Sequence, residues 1–391
     1  MDRTIRVEVL YGERYIAVRG GGEEITFEWE YDRPTVNGEE FAAFLFLPIA
    51  MARGENLMVC GSGSAVATKN LRKLADSWAV MVPEMYSPIA VDFEAERSLR
   101  VLSSDRKLMF YSGGVDSTFA LLRQFERGES VDLLTLQGME YRLSKDVEFD
   151  AAKKKTDIFA RDKAGSREFM KTDAYYTYKT YGVSGQMSHV FLLASSGFIY
   201  SSRYRSSVIS SDFSCAQQFL AFPVGSTFAT NQLFDAGDFH LDTEGEDVSR
   251  AEKCKFIGVN ESAIQGLSFC GRGRFRPENC GKCSKCVRTK VMFVASLGVV
   301  PSGVFIDSTL SARDVRMEMS SKEGVDFAFV IDAYIAARKS GYLGRLPGLV
   351  KKYEKVVSKM KDTRRENVLV KKIRVGGAGD CLGGHKPHNP L

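Results

Sequence analysis

The stretch at residues 111–118, Tyr-Ser-Gly-Gly-Val-Asp-Ser-Thr, constrains this chain most because it joins a short apolar run to an amphipathic one. Residues 107–111 are predicted to form a buried strand, and residues 118–125 the helix that leaves the turn. A turn rich in glycine and serine at such a junction directs backbone N–H groups into a concavity, where the helix dipole adds positive potential. Gly113 and Gly114 allow positive φ angles and close approach of a phosphate to the main chain. The pattern therefore predicts a phosphate-binding loop.

Polar side chains of the same turn extend the predicted anion site. Ser112, Ser117 and Thr118 can add hydroxyl donors, and Asp116 is expected to hold a magnesium ion or to cap the helix. The G-x-x-x-x-G-K-[ST] string of the common P-loop does not occur, and the turn lacks the spacing of a dinucleotide G-x-G-x-x-G loop. The alternative is an ordinary glycine turn with a serine N-cap.

Length and composition indicate a water-soluble protein of several domains. A chain of 391 residues exceeds one ordinary domain of roughly 150 residues, so two or three domains are expected. No stretch approaches the roughly 20 apolar residues of a membrane span, and residues 1–8 lack the apolar core of a signal peptide. A cytoplasmic location is therefore expected, in which clustered cysteines stay reduced and suggest a metal site. The net charge of +5 does not by itself argue for nucleic-acid binding.

The second informative feature is a cysteine cluster within seventeen residues, formed by Cys270, Cys280, Cys283 and Cys286. Overlapping C-x-x-C steps bring three thiolates together, and a nine-residue loop returns the fourth. Four thiolates in a tetrahedron suit Zn²⁺ in a closed structural site. Gly281 is expected to allow a tight knuckle, and the flanking cations Lys282, Lys285 and Arg288 to offset the thiolate charge. Two alternatives stay open, namely a three-cysteine iron–sulfur cluster with Cys270 unrelated, and a set of disulfides.

Residues 112–117 resemble the S-G-G-x-D-S signature of the PP-loop ATP pyrophosphatase superfamily at all five fixed positions. That resemblance implies cleavage of ATP between its α- and β-phosphates and transfer of AMP to a carbonyl or carboxylate oxygen. With a C-x(8–10)-C-x-x-C-x-x-C knuckle downstream, the chain is similar to the 7-cyano-7-deazaguanine synthase family, the nitrile-forming enzymes of queuosine-precursor synthesis. In that family the zinc site is structural and lies near the substrate pocket. The resemblance covers residues 107–297, about half of the chain.

The resemblance also implies the residues of the site, with ATP and Mg²⁺ at the loop. Residues 249–253 are similar to the helix start before the knuckle in that family, so Arg250 and Lys253 are expected to steady the phosphates. The predicted catalytic residues are Ser112, Asp116, Ser117, Arg250 and Lys253. Ligands bind at the carboxyl ends of strands in doubly wound sheets, and a strand is predicted at residues 198–202. The predicted nucleotide-binding residues are Tyr111, Ser112, Gly113, Gly114, Val115, Asp116, Ser117, Thr118, Gln137, Ser201 and Ser202.

The expected reaction is activation of a carboxylate or amide by adenylylation, followed by attack of ammonia or an amine to give an amide or nitrile. The family's Asp-Tyr-Ser-Gly-Tyr-Pro substrate loop is not present in order. The expected acceptor is therefore either a deazapurine-like small carboxylate or a macromolecule such as a protein terminus. One alternative is sulfur transfer to tRNA or a small molecule, with Cys215 or Cys254 as the persulfide carrier. Another is a nucleotide-binding module without catalysis.

Three units are predicted along the chain. Residues 1–103 show the polar–apolar alternation of half-buried strands and a buried helix at residues 41–51, which indicates a β-rich α+β module. Residues 104–309 are predicted to form an α/β domain with a doubly wound parallel sheet, including the knuckle at residues 270–286. Residues 310–391 are predicted to be a helical, basic extension with a flexible tail. Its charge makes nucleic acid a weaker expectation among the partners, and a homodimer is also considered.

Overall fold

The computed structural model describes residues 3–100, 105–320, 322 and 324–361. Its centre is one sheet of ten strands, in which six of the nine neighbouring pairs are parallel and three are antiparallel. The strands are Thr4–Tyr11 (β1), Tyr15–Gly20 (β2), Glu23–Trp29 (β3), Asn56–Gly63 (β4), Val91–Glu96 (β5), Lys107–Phe110 (β6), Val131–Gln137 (β7), Arg167–Thr172 (β8), Ser206–Ser210 (β9) and His240–Glu244 (β10). The α/β class predicted from the sequence is confirmed.

Thirteen α-helices accompany the sheet in the part of the chain that the structure describes. They are Glu40–Arg53 (α1), Ala65–Met81 (α2), Val115–Glu126 (α3), Asp146–Ala160 (α4), Ala174–Thr180 (α5), Gly185–Phe198 (α6), Cys215–Ala221 (α7), Arg250–Ile257 (α8), Glu261–Gln265 (α9), Ser284–Leu297 (α10), Ala312–Glu318 (α11), Gly324–Ser340 (α12) and residues 349–361 (α13). None of these helices has both the length and the apolar character needed to cross a bilayer.

One half of the sheet is entirely parallel and contains the predicted phosphate loop. Its spatial order is β8, β7, β6, β9, β10, and helices α3 to α7 lie in the connections between these strands. β7 pairs with one side of β6, and β8 pairs with the outer side of β7. β9, the next strand in the sequence, pairs with the other side of β6. The carboxyl ends of β6 and β9 therefore flank the point where the strand order reverses. Open α/β sheets leave a crevice for ligands at such a point.

Successive side chains of the central strands enter two different hydrophobic layers, as the pleat of a strand requires. Leu108 and Phe110 of β6 belong to a cluster with residues of α1, α2 and α6. Met109 of β6 and Tyr111 belong to a second cluster with residues of α3, α8, α10 and α12. Helices thus cover both faces of the sheet, which explains why β6 and β7 are buried along nearly their whole length.

The first five strands extend the same sheet. β2 and β3 form a hairpin whose turn uses Gly21 and Gly22 at positive φ, and β3 pairs with β8 in antiparallel orientation. Helix α1 is buried along nearly its whole length and packs on α6, which confirms the buried helix predicted at residues 41–51. One hydrophobic cluster includes residues from Ile5 to Leu241. The unit boundary predicted at residue 103 lies outside the described residues, and the sheet and core continue on both sides of it.

The strand predicted at residues 198–202 is wrong. Phe198 ends α6, the following residues form turns, and β9 begins only at Ser206. The apolar residues at the start of this segment were taken for a strand because a short buried run has the same pattern in a helix and in a strand. Farther along, α12 and α13 confirm the helices predicted after residue 310. The tail predicted at residues 376–391 lies outside the described residues.

Candidate functional site

The turn between β6 and α3 is tight, and only one of its two glycines uses the positive φ that glycine allows. Gly113 has φ +74°, and a Cβ atom there would lie 2.2 Å from Cγ2 of Thr156 on α4. Gly114 is the N-cap of α3 with φ −78°, a conformation open to any residue. Gly114 therefore does not use the positive φ that glycine allows. A Cβ atom there would meet only Oγ of Ser112, at 3.3 Å.

Hydroxyl groups and backbone N–H groups meet at this turn. The Oγ atoms of Ser112 and Ser117 lie 3.2 Å apart, and Ser112 Oγ accepts a hydrogen bond from Gly114 N–H at 3.3 Å. The first N–H groups of α3 have no acceptor within the helix. Since these groups point outward where the helix dipole is positive, the turn can hold an anion.

Asp116, in the first turn of α3, is a buried carboxylate between two buried cations. Arg250 Nη1 donates to Asp116 Oδ2 at 2.6 Å, and Lys253 Nζ lies 3.7 Å from Oδ1. Lys253 also donates to the Ser211 carbonyl. Burial raises the pKa of Asp116, and the charges of Arg250 and Lys253 oppose that rise. The predicted catalytic residues thus lie close together. Both cations are already engaged, Arg250 by Asp116 and Lys253 by Asp116 and the Ser211 carbonyl.

Two cavities adjoin the turn at the crevice between β6 and β9. The larger has a volume of about 490 Å³ and the smaller about 210 Å³. The residues lining both are Ser112, Ser117, Glu140, Tyr141, Ser210 and Asp212. Gly114, Val115 and Asp116 line only the larger cavity, so the exposed end of α3 faces that side. Tyr111 lines the smaller one, whereas Thr118 is fully buried within α3 and lines neither.

The smaller cavity has mainly apolar walls at the carboxyl end of β7. Leu134 and Leu136 line it, together with Thr135 and Arg167 as polar groups. The Arg167 guanidinium lies 5.2 Å from the ring centroid of Tyr111 and donates to Asp157 at 2.6 Å. Apolar walls with a few fixed polar groups are typical of small-molecule pockets.

The larger cavity carries three further cations from the knuckle region. Arg276 and Lys285 both pair with Glu140, at 2.6 and 2.8 Å, so a carboxylate already compensates their charges. The side chain of Arg288 on α10 makes no hydrogen bond and no ion pair with any residue that the structure describes. Its guanidinium lies over the ring of Phe329 on α12, 3.8 Å from the centroid. Arg288 was expected to offset the thiolate charge, and no part in the site was predicted for α12.

Five of the predicted nucleotide-binding residues line neither cavity, namely Gly113 and Thr118, which belong to the turn and to α3, and Gln137, Ser201 and Ser202. The Gln137 amide donates to Asp146 Oδ1 and to two carbonyls of the connection from β7 to α4, which it fixes in place. Ser201 and Ser202 precede β9 and therefore lie at its amino end. The prediction placed them at a carboxyl end because it placed the strand too early. The residue that follows the true carboxyl end and lines both cavities is Asp212.

The four knuckle cysteines form a buried cluster that could hold a metal ion, with all Sγ atoms within 4.8 Å of one another. Two of the Sγ pairs, Cys270–Cys283 and Cys280–Cys286, are separated by 3.9 Å. A tetrahedral Zn²⁺ with bonds of about 2.3 Å to sulfur needs sulfur separations of about 3.8 Å. The cysteines are free thiols, and all four participate, including Cys270. The arrangement therefore fits a closed Cys₄ zinc site.

Gly281 permits the knuckle by its φ of +75°, and a Cβ atom there would lie 1.9 Å from the Asp307 carbonyl oxygen. The flanking lysines do not mainly serve the thiolates, contrary to expectation. Lys282 pairs with Asp307 at 3.0 Å, and Lys285 pairs with Glu140. Instead of offsetting the thiolate charge, the two lysines form ion pairs that connect the knuckle to Asp307 and Glu140.

The knuckle is joined directly to the phosphate loop. Ser268, two residues before the first ligand, donates from its N–H to the Gly113 carbonyl at 2.9 Å. Asn279, fully buried beside Cys280, donates to the carbonyls of residues 267 and 304 and accepts from the N–H of Phe269. No motif in the sequence singled out Asn279 or Ser268. A metal in the knuckle would therefore stiffen the wall of the larger cavity.

The two cysteines considered for sulfur transfer lie outside both cavities. Cys254 is fully buried in α8, and burial raises its pKa. Cys215 is exposed at the first position of α7, where partial burial of the thiol and the charge of Glu246 raise its pKa. Both shifts disfavour the thiolate, which is the reactive form of cysteine.

No protein-family model and no curated protein sequence matches this chain. The function therefore has to be inferred from the loop, the two cavities and the knuckle themselves.

Proposed function

We propose that this protein is an ATP pyrophosphatase of the PP-loop kind that activates an acceptor carboxylate or amide as an adenylate, for attack by ammonia or an amine. The observation that carries the proposal is the turn at Ser112–Gly113–Gly114, which ends a strand where the strand order reverses and opens a helix end toward a cavity. The order of the parallel strands supports a doubly wound PP-loop fold for this half of the sheet.

The proposed first step forms a bond between an acceptor oxygen and the α-phosphorus of ATP and breaks the bond from that phosphorus to the bridging oxygen of the β-phosphate. Pyrophosphate leaves with the electron pair. The N–H groups at the start of α3 and the hydroxyls of Ser112 and Ser117 are assigned to the charge that develops on it. Such fixed donors lower the barrier because they need no reorganisation during the reaction. A magnesium ion bound with ATP would neutralise further charge on the same phosphates.

In the proposed second step, the nitrogen of ammonia or an amine attacks the activated carbon. The bond from that carbon to the AMP oxygen breaks, AMP leaves with the electron pair, and the nitrogen loses a proton to solvent. With a carboxylate as the acceptor, the product is an amide. A nitrile would need a second ATP, because the amide oxygen then has to leave as AMP.

The roles of the surrounding residues follow from their positions. The smaller cavity, with Leu134 and Leu136 as apolar walls and Arg167 as a polar group, is assigned to the nucleoside of ATP. Asp116 orients the start of α3 through its ion pair with Arg250. The Cys₄ knuckle is assigned a structural zinc that holds the cavity wall in place, because a closed thiolate set leaves no open position for substrate.

Sulfur transfer finds less support, since Cys215 and Cys254 lie outside the cavities and both have a raised pKa. The double variant C215S/C254S is therefore expected to keep AMP formation. A loss of activity in this variant, with the fold intact, would favour thiolation over the proposed reaction.

The decisive experiment is ATP–pyrophosphate exchange with a panel of acceptors, including 7-carboxy-7-deazaguanine, small carboxylic acids and peptides. Exchange that depends on one acceptor supports the proposal and names the substrate. The S117A variant should lose that exchange while it keeps its fold. The absence of both exchange and AMP formation with every acceptor, in protein that contains zinc, would refute an adenylylating enzyme and favour a nucleotide-binding module.

A further inference from the structure

Arg288 is a cation whose hydrogen-bonding capacity is unused. Its Nε atom is buried and has no hydrogen-bond partner, and its other nitrogens make no hydrogen bond or ion pair with a described residue. A guanidinium carries five N–H donors, and leaving a buried one unsatisfied is unfavourable. Such a side chain at the wall of a cavity indicates that a ligand supplies the missing acceptors.

The other cations of the larger cavity are already paired. Arg250 is held by Asp116, while Arg276 and Lys285 share Glu140. Among the lysines and arginines that line this cavity, Arg288 alone has no carboxylate within ion-pair distance in the described part of the chain. The charges of Asp212, Asp116 and Asp326 act on it from farther away. The available positive charge of this cavity comes from Arg288 and from the exposed end of α3.

The position of Arg288 is fixed by an aromatic ring. Its guanidinium carbon lies 3.8 Å from the centroid of Phe329, which packs on Phe213 at a centroid distance of 5.0 Å. Helix α12, which carries Phe329, is attached to α8 by a hydrogen bond from Ala251 N–H to Asp332 at 3.0 Å. An arginine stacked on a ring keeps its N–H groups free in its own plane, where they can bind two oxygens of a phosphate.

We propose that Arg288, positioned by Phe329, binds the β- and γ-phosphates of ATP and the pyrophosphate formed from them. This assignment rests on the proposed function and replaces Arg250 and Lys253 in the role of phosphate-binding cations. The larger cavity is lined by Arg288 together with Ser112, Gly114 and Asp116, so an anion in it can be reached from both the loop and the guanidinium. The binding site thus includes α12, which follows the knuckle in the sequence.

The test is calorimetric titration of the full-length protein with magnesium pyrophosphate. R288Q should weaken pyrophosphate binding about tenfold or more, as expected for the loss of a charge-assisted hydrogen bond. R274Q is the matched control, because Arg274 is an exposed arginine in the loop between Cys270 and Cys280 and does not line the cavity. Zinc content should equal that of the wild type in both variants. F329L should weaken binding less than R288Q, because it removes only the support of the guanidinium.

The Arg288 guanidinium could instead bind the acceptor carboxylate. Kinetic measurements distinguish pyrophosphate from the acceptor as its ligand. If R288Q binds pyrophosphate as tightly as R274Q does, the assignment is overturned. The assignment is also overturned if R288Q raises only the KM of the acceptor, because Arg288 would then bind the acceptor rather than pyrophosphate. Failure of the proposed function looks different, because the wild-type protein itself would then not exchange pyrophosphate into ATP with any acceptor.

Discussion

Arg250 donates to Asp116 across 2.6 Å at the centre of the site, and this pair connects α8 to the first turn of α3. Both side chains are only about one-tenth exposed, so water screens their charges weakly. The contact ties the acid of the loop to the start of α8. The conformation of the loop therefore depends on both residues.

We expect D116N to abolish AMP formation and also to destabilise the protein. Removing one partner of a buried ion pair leaves the other charge uncompensated, which costs about 3 kcal/mol. The free energy of unfolding can be measured by urea denaturation, and AMP formation by chromatography of the nucleotides.

The double variant D116N/R250Q separates the two effects. It removes the uncompensated guanidinium, so we expect it to recover a large part of the lost stability while AMP formation stays absent. If D116N alone retained wild-type AMP formation, the assignment of Asp116 to the site would be wrong. If the double variant were less stable than D116N, Arg250 would have another structural partner.

The two glycines of the loop should differ sharply on substitution. G113A places a side chain at a positive φ and against Thr156, so we expect a loss of at least about 2 kcal/mol in unfolding free energy. G114A keeps an ordinary backbone conformation and should change the unfolding free energy by less than about 1 kcal/mol. Urea denaturation of the two variants measures the contrast. Equal losses would contradict the described geometry of the turn.

Local signals in the sequence were enough to predict the loop and the knuckle. The strand, turn and helix around Gly113 are adjacent in the chain, and the four cysteines are spaced so closely that their meeting needs little tertiary information. The ion pair of Asp116 with Arg250 was only partly foreseen. Proximity was implied by the family resemblance, whereas the fact that the two charges satisfy each other depends on how α8 packs against α3.

The remaining features depend on contacts between distant segments, which a single sequence does not report. Phe329 enters the site because α12 packs beside α10, and nothing in its helical pattern indicates which face meets Arg288. The continuity of the sheet depends on the antiparallel pairing of β3 with β8, two strands far apart in the chain. Ser201 and Ser202 were misplaced for a local reason, since the apolar run before them is helical.

We expect the contribution of His240, on the edge strand β10, to the free energy of unfolding to depend on pH. A hydrogen bond to Asp242, at 3.2 Å, raises the pKa of His240 above its ordinary value of 6.5. A raised pKa means that the folded state binds the proton more tightly, so this contribution is complete below about pH 6.5 and is lost as the pH rises through the folded pKa. Both side chains are more than one-third exposed, so the effect should stay below about 1 kcal/mol. Urea denaturation between about pH 5.5 and pH 8 should show that H240Q removes this decline.

The metal content of the knuckle distinguishes zinc from the iron–sulfur alternative. We expect one zinc per chain by elemental analysis, without iron or acid-labile sulfide, because four free thiols meet at the separations of a tetrahedral site. C283S should lose the zinc and unfold at a lower urea concentration, since metal binding contributes directly to the stability of such sites. C60S is the matched control, because Cys60 lies outside the cluster on β4 and should leave both properties unchanged. Because Ser268 links the knuckle to Gly113, C283S should also weaken the binding of magnesium pyrophosphate. Full zinc content in C283S, or iron with sulfide in the wild type, would contradict a structural Cys₄ zinc site.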